Sequence, residues 1–232
     1  LTIGAVFWIY GRDLPSHESL AQYKPPTISR IYSGEGRIVD EFARERRLFT
    51  GAKDVPILIK QAFISAEDKN FYSHPGYDLR GILSAAVDAA RSGGRRVRGA
   101  STITQQVMKN FLLDGSRTIE RKVQEIILAA RIERSMSKER ILELYLNEIF
   151  LGQNSYGVAA AAQTYFNTAL SDLTPAQAAY LAALPQRPAR LHPVRDYDDA
   201  VERRNYVLRE MFENGYITRE VMEDSQASEL ET

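Results

Sequence analysis

Thr118-Ile-Glu-Arg-Lys-Val-Gln-Glu-Ile-Ile-Leu-Ala-Ala-Arg-Ile-Glu-Arg134 decides the class of fold. Ile119, Val123, Ile126, Ile127 and Ala130 recur at helical spacing, so they predict an apolar stripe along one helix face. Arg117, Arg121 and Glu125 recur every fourth residue, and Lys122 lies three before Glu125. At about 100° per residue these charges share a face roughly opposite the stripe. A carboxylate is thereby set among three cations. Taken alone, such a face is commonly a solvated one. Together with Lys109 it is also a group of cations able to hold a diphosphate.

Elsewhere in the chain, helix signals dominate. Asp54, with Pro56 in the first turn, is expected to cap a helix reaching about Asp68. Further helices are expected over 79–90, 103–112, from a Ser137 cap to about Phe150, and over the alanine-rich 156–166. Thr174-Pro175-Ala176-Gln177 fits a capping box with proline at the first helical position, and Pro185 should stop that helix. Residues 198–214 are amphipathic, with Gly215 as C-terminal cap. The main β signal is near the start. Ile28, Arg30 and Tyr32 alternate, Gly34-Glu35-Gly36 makes a turn, and Ile38 and Val39 resume, which predicts one short hairpin.

The first ten residues, Leu1 to Tyr10, are nearly all apolar, and Trp8 and Tyr10 precede Arg12 and Asp13. They read as the interfacial end of a truncated transmembrane anchor, or else as a buried N-terminal segment. Pro15, Pro25 and Pro26 make 11–26 an extended connector. The expected organisation is an anchor end at 1–10, connector and hairpin at 11–42, and one catalytic domain at 43–232.

The 232 residues carry 30 Lys and Arg against 30 Asp and Glu, so no surplus of charge points to nucleic acid, and any basic site must be a local cluster. The absence of cysteine removes disulfides, thiolate nucleophiles and cysteine-based zinc sites. Three scattered histidines, His17, His74 and His192, argue against a histidine-rich metal centre.

Two further stretches carry chemistry. Glu67-Asp68-Lys69-Asn70-Phe71-Tyr72-Ser73-His74-Pro75-Gly76 places two carboxylates at the end of an apolar helical run. Acids at a helix C-terminus oppose the dipole, and the same field makes a carboxylate a better base. Gly99-Ala100-Ser101-Thr102-Ile103-Thr104-Gln105-Gln106 opens a helix with short neutral hydrogen-bonding groups, suited to sugar hydroxyls and phosphate oxygens or to capping. Before it, Arg91, Arg95, Arg96 and Arg98 stand among glycines, as a solvated loop or a cationic flap. Two acidic centres, a polar platform and clustered cations together fit transfer of a sugar from a diphosphate carrier to a hydroxyl. No dinucleotide-binding Gly-rich signal is present, which favours a lipid-linked donor over a nucleotide sugar.

These residues resemble the peptidoglycan glycosyltransferase domain (glycosyltransferase family 51) of class A penicillin-binding proteins, the 1A type in particular. Glu67, Asp68, Phe71, His74 and Gly76 match its first motif, and Gly99 to Gln106, followed by Lys109 and Asn110, match the second. Arg117 with Arg121-Lys122-Val123-Gln124-Glu125 matches the third, Ile141 to Asn147 the fourth, and Leu181 to Gln186 the fifth. Gln124 stands where some members have lysine, and Asn167 and Ala183 where many have glycine.

The resemblance implies a mainly α, lysozyme-like head lobe with a smaller membrane-proximal jaw. It implies polymerisation of lipid II into β-1,4-linked glycan by an inverting displacement with release of undecaprenyl diphosphate. Glu67 would be the general base and Glu125 would organise the diphosphate. Lys109, Arg117, Arg121 and Lys122 would neutralise that diphosphate. Gly99, Ser101, Thr102, Gln105 and Gln106 would form the donor site, and Asp68, Phe71 and His74 would shape the first motif. No cofactor is obligatory, although Glu125 is compatible with a divalent cation, Mg or Mn. Implied partners are lipid II, the growing lipid-linked glycan, membrane lipids and cell-wall synthesis proteins, with no nucleic acid. The implied location is the bacterial cytoplasmic membrane, with a single-pass anchor and the domain on the extracytoplasmic side.

Three other readings compete. A lysozyme or lytic transglycosylase would need an acid but no diphosphate cradle. A transpeptidase is suggested only by Ser135-Met136-Ser137-Lys138, without the partner motifs that chemistry requires. A membrane-tethered lipid-binding module would leave Glu67 and Glu125 without a task.

Overall fold

The computed structural model describes residues 29–32, 38–42, 46–91, 101–113 and 118–232, with single positions at 14 and 20. The apolar run 1–10, most of the proline connector, the turn at 34–36, the arginine-rich stretch after Arg91 and Arg117 lie outside these residues. The protein is mainly helical, with two compact units: Leu1–Tyr23 with Asn70–Leu142, and Lys24–Lys69 with Glu143–Thr232.

In the second unit, β1 (Ser29–Tyr32) pairs antiparallel with β2 (Ile38–Phe42), and β3 (Arg46–Arg47) pairs parallel with β4 (Ser155–Tyr156). The remainder is helical: α1 (Ile57–Glu67), the C-terminal part of α5 (Lys138–Glu148), α6 (Val158–Phe166), α7 (Pro175–Ala183), α8 (Tyr197–Glu213) and α9 (Arg219–Ala227). α7 packs against α1 and α8, and Ala178 through Ala183 are all fully buried. A helix apolar on every side belongs in the centre, and its alanines let neighbouring backbones approach closely. The capping box at Thr174 and Gln177 forms as the sequence predicts. Buried Tyr165 and Tyr180 satisfy their hydroxyls by donating to the carbonyls of Leu151 (2.8 Å) and Leu191 (2.9 Å), and burial pushes the Tyr165 phenol up to about 12.

Asp54 does not cap α1. The helix begins at Ile57 with Pro56 in the cap position, while the Asp54 N–H donates to Gly51 O in a preceding turn. Proline has no N–H to satisfy, so it suits the first turn without a side-chain acceptor. Asn147 holds the segment before that turn. Its Oδ1 accepts from Thr50 N (2.8 Å), and its Nδ2 donates to Thr50 O (2.8 Å).

The C-terminal helix α9 has no strong apolar signature in the sequence. Thr218 caps it, and Arg204 of α8 secures its C-terminal end by donating to the carbonyls of Ser228 (2.9 Å) and Gln226 (3.0 Å). Arg204 is fully buried, and desolvation lowers its pKa from the usual arginine range.

In the first unit, α2 (Leu79–Arg91), α3 (Ile103–Leu112), α4 (Ile119–Ser135) and the start of α5 come after a tight loop. α3 packs on α4. Asp78 caps α2, its Oδ1 accepting from Gly81 N (3.0 Å) and its Oδ2 from Asn70 Nδ2 (3.0 Å). The hydrogen bond from Asn70, then that from Gly81, lowers the Asp78 pKa.

The orientation of α4 corrects the sequence reading. Arg121 and Glu125 are buried on the same side as Leu128, Ala129 and Ile132; of the expected stripe Ile127 is buried, but Ile119 is 81% exposed and Val123, Ile126 and Ala130 are half-buried. The charged pair is therefore no solvated face. Its members neutralise one another, which permits burial among apolar side chains.

Gly76 lies against α4 with φ +94°, and a Cβ there would come within 2.5 Å of Ala129 O. Gly76→Ala is expected to destabilise by more than about 2 kcal/mol, because it combines backbone strain with overlap against helix backbone. Thermal unfolding checks this, and an unchanged Tm would refute the packing. Arg204→Met should cost about 2–4 kcal/mol by leaving two carbonyls without donors. Urea unfolding would measure the loss, and hydrogen exchange should show earlier opening of α9.

Candidate active site

Glu67 is the last residue of α1, and Asp68 is its C-cap, with the Asp68 N–H donating to Ile64 O (2.9 Å). Asp68 is buried and Glu67 half-buried. One turn earlier, Phe63 meets Tyr145 of α5 edge to face, with ring centroids 6.2 Å apart. The Tyr145 hydroxyl is buried without a hydrogen-bond partner among the described residues. Burial first, then the charges of Glu67 and Asp68, push its phenol well above the usual tyrosine range. The acidic helix end therefore has a neutral, protonated hydroxyl in its electrostatic surroundings, from a residue of the fourth motif to which the sequence reading gives no role.

The cations and the polar platform meet in the first unit, at Lys122. Its Nζ donates to Ser101 Oγ (2.7 Å), Glu125 Oε2 (2.8 Å) and Gln105 Oε1 (3.3 Å). Arg121 donates to the other oxygen of Glu125 from Nη2 (2.8 Å) and Nε (3.2 Å). Glu125 and Arg121 are buried, whereas the Lys122 side chain keeps 44% of its surface. One carboxylate thus fixes two cations, and the set retains one positive charge with Lys122 open to solvent.

This charge stands beside the start of α3. Thr102 Oγ1 accepts from Gln105 N (3.1 Å), and Gln105 Oε1 accepts from Thr102 N (3.2 Å), which completes a capping box. The amide Nε2 of Gln105 is buried and has no hydrogen-bond partner among the described residues. Thr102 Oγ1 also donates to Gly76 O (2.7 Å), so the helix cap ties down the loop of the first motif. Thr102 and Gln105 are therefore committed to local structure, while Ser101 and Gln106 stay half-exposed and Lys109 is exposed one turn beyond Gln105. Gly99 and Arg117 lie outside the described residues.

Phe71 and His74 shape the same loop. His74 Nδ1 accepts from Gly76 N (3.0 Å), which puts the proton of the neutral ring on Nε2. Lys138 Nζ donates to His74 O (2.7 Å) and Glu133 Oε1 (2.7 Å), and lies 4.6 Å from the Phe71 ring centroid. Glu133 Oε1 also accepts from Thr104 Oγ1 (2.6 Å). Lys138 is thus a structural clamp, and Ser135 donates to Ile132 O (3.2 Å), so the Ser-x-x-Lys match has an architectural explanation. Sequence reasoning misses Glu133 and Lys138 as supports for the site, and reads Thr104 only as part of the polar platform, because their contacts reach across separate elements.

Among the described residues no helix is long and apolar enough to cross a membrane, and no group of three His, Cys, Asp or Glu side chains could hold a metal ion.

Residues 35–212 match the family described as Transglycosylase. The chain is 48% identical over 227 residues to penicillin-binding protein 1A of Rickettsia prowazekii (strain Madrid E), covering 97% of this chain and 29% of that protein. It is 46% identical over 217 residues to penicillin-binding protein 1A of Neisseria gonorrhoeae, covering 94% of this chain and 27% of that one. The 2.6 Å crystal structure of penicillin-binding protein 1A from Haemophilus influenzae aligns with 90% of this chain and 21% of its own, at a TM-score of 0.53 and 28% identity. The chain spans less than a third of the length of the curated relatives it matches. The motif-bearing helices and these alignments agree: the chain belongs to the transglycosylase family, as the peptidoglycan glycosyltransferase domain of a class A penicillin-binding protein.

Proposed function

We propose that this domain polymerises lipid II into β-1,4-linked glycan strands at the extracytoplasmic face of the bacterial cytoplasmic membrane. The observation that carries the proposal is the Lys122 network, a surplus cation fixed beside the N-terminus of α3 by Ser101, Gln105 and Glu125. A helix N-terminus favours an anion, and Lys122 adds a partly exposed ammonium. These are the groups a departing diphosphate requires.

In this reading the Glu67 carboxylate takes the proton of the acceptor's 4-hydroxyl. The oxygen attacks the donor sugar's anomeric carbon, and the bond to the diphosphate breaks with inversion. Lys122, Arg121, Lys109 and Arg117 neutralise the undecaprenyl diphosphate as it leaves. Asp68, Phe71, His74 and the Gly99–Gln106 segment hold the surrounding backbone. Both oxygens of Glu125 already accept from cations, so this donor set does not suit Mg or Mn, and no step is routed through a metal.

On α2, Leu79, Leu83 and Val87 are exposed at 61, 67 and 46% and recur every fourth residue. Such a stripe suits the membrane surface and supports a membrane-proximal role for the first unit.

A hydrolase has no use for the cation network, which separates the two readings. Incubation with labelled lipid II should give polymer and no muropeptide fragments. Glu67→Gln should lower polymerisation by at least about 10²-fold with Tm retained, and near-normal synthesis would refute its role as base. Lys122→Met should reduce kcat/KM by about 10²–10³-fold, the scale of losing one charge-stabilising donor. Turnover unaffected by that change would favour glycan cleavage.

A further inference from the structure

A cavity of about 300 Å³ lies in the second unit between α8 and the segment that follows α7. We infer that it is a separate binding site for a phosphate-bearing ligand. It is lined by Arg187 and Arg190 from that segment and by Arg203 and Arg209 from α8. Among the described residues none of these four guanidinium groups has an ion-pair partner, although Asp199 and Glu202 also line the cavity. Four cations against two carboxylates leave a surplus of two positive charges, which matches a phosphate dianion or a diphosphate.

The placement follows from the two sides of α8. Ala200, Arg204, Val207, Leu208 and Met211 form its buried face. Arg203, Tyr206 and Arg209 recur at intervals of three, so they fall on another side and face the cavity. Tyr206 organises the cations there. The Arg203 guanidinium carbon lies 4.4 Å from its ring centroid and that of Arg209 6.0 Å. Stacking on one aromatic ring restricts two flexible side chains before any ligand arrives.

The decisive atom is Arg203 Nε, which is buried and has no hydrogen-bond partner among the described residues. A cationic donor removed from water without an acceptor is unfavourable, and an anion in the cavity would supply one. Guanidinium forks match phosphate oxygens in pairs, and four of them around one volume exceed what an isolated carboxylate can use. The phosphate could belong to a soluble ligand or to a lipid headgroup, and the test separates these sources.

The test uses arginine side-chain ¹⁵N NMR of the protein, with the Arg203 Nε–H signal identified by its absence in Arg203→Lys. Inorganic pyrophosphate should shift that signal saturably, and the apparent Kd should rise at least about tenfold in the triple variant Arg187→Gln, Arg190→Gln, Arg209→Gln. These three positions are exposed, so Tm and lipid II polymerisation should stay at parent levels. In parallel, pelleting is measured with phosphatidylglycerol and phosphatidylcholine vesicles. Loss of phosphatidylglycerol binding in the triple variant assigns the site to a lipid headgroup. A saturable pyrophosphate shift with vesicle binding unchanged by the variant assigns it to a soluble phosphate. An Arg203 signal unmoved by millimolar pyrophosphate, together with vesicle binding unchanged by the variant, overturns the inference.

Discussion

The buried carboxylate of Glu125 is the constraint around which the first unit is organised. It accepts from Arg121 through one oxygen and from Lys122 through the other. A lone carboxylate at 6% exposure would be strongly unfavourable, and so would the buried Arg121 without it. Lys122 is different, because nearly half its side chain remains in water and the same ammonium reaches Ser101 and Gln105 on the approach to α3. Burial fixes the carboxylate, the carboxylate fixes the lysine, and the lysine presents charge where a helix already favours anions. Positioning comes from the dry end of the network and availability from the wet end.

Most helices were legible because their signals are local. Thr102, Thr118 and Thr174 each accept a hydrogen bond from the backbone three residues on, and two of these caps are full capping boxes. The exception is α9, which the sequence reading does not expect although Thr218 caps it in the same way. The facing of α4 was not legible. Hydrophobicity pointed Ile119, Val123 and Ala130 inward, yet the better-buried side carries Arg121 and Glu125. Periodicity alone treats each charge as a cost of burial, whereas two opposite charges one turn apart remove much of that cost together. The site's supports were hidden for a related reason. Glu133 joins Thr104, Lys138 and, through Lys138, the carbonyl of His74, and none of these links is visible as sequence spacing.

Departures from the family pattern have local explanations where the backbone is strained. Asn167 ends α6 with φ +49°, a left-handed conformation in which asparagine is the best replacement for glycine. Gly76 has no such substitute, since its neighbour is the backbone oxygen of Ala129 and cannot move aside as a side chain could. Ala183 ends the fully buried stretch 178–183 of α7, where a methyl group is accommodated without a positive φ.

Arg203 and Arg204 show how far one step along a helix changes the meaning of a residue type. Arg204 turns inward, reaches two carbonyls near the C-terminus and acts as a fastening between α8 and the C-terminal end of α9. Arg203 turns towards the cavity, stacks on Tyr206 and keeps a buried N–H without an acceptor among the described residues. Both lose hydration, but only Arg204 recovers it in hydrogen bonds to protein. Four guanidinium groups without ion-pair partners among the described residues repel one another, so their convergence has no folding benefit comparable to that of Arg204. Stability explains the inward arginine, and ligand recognition is the remaining physical account of the outward one.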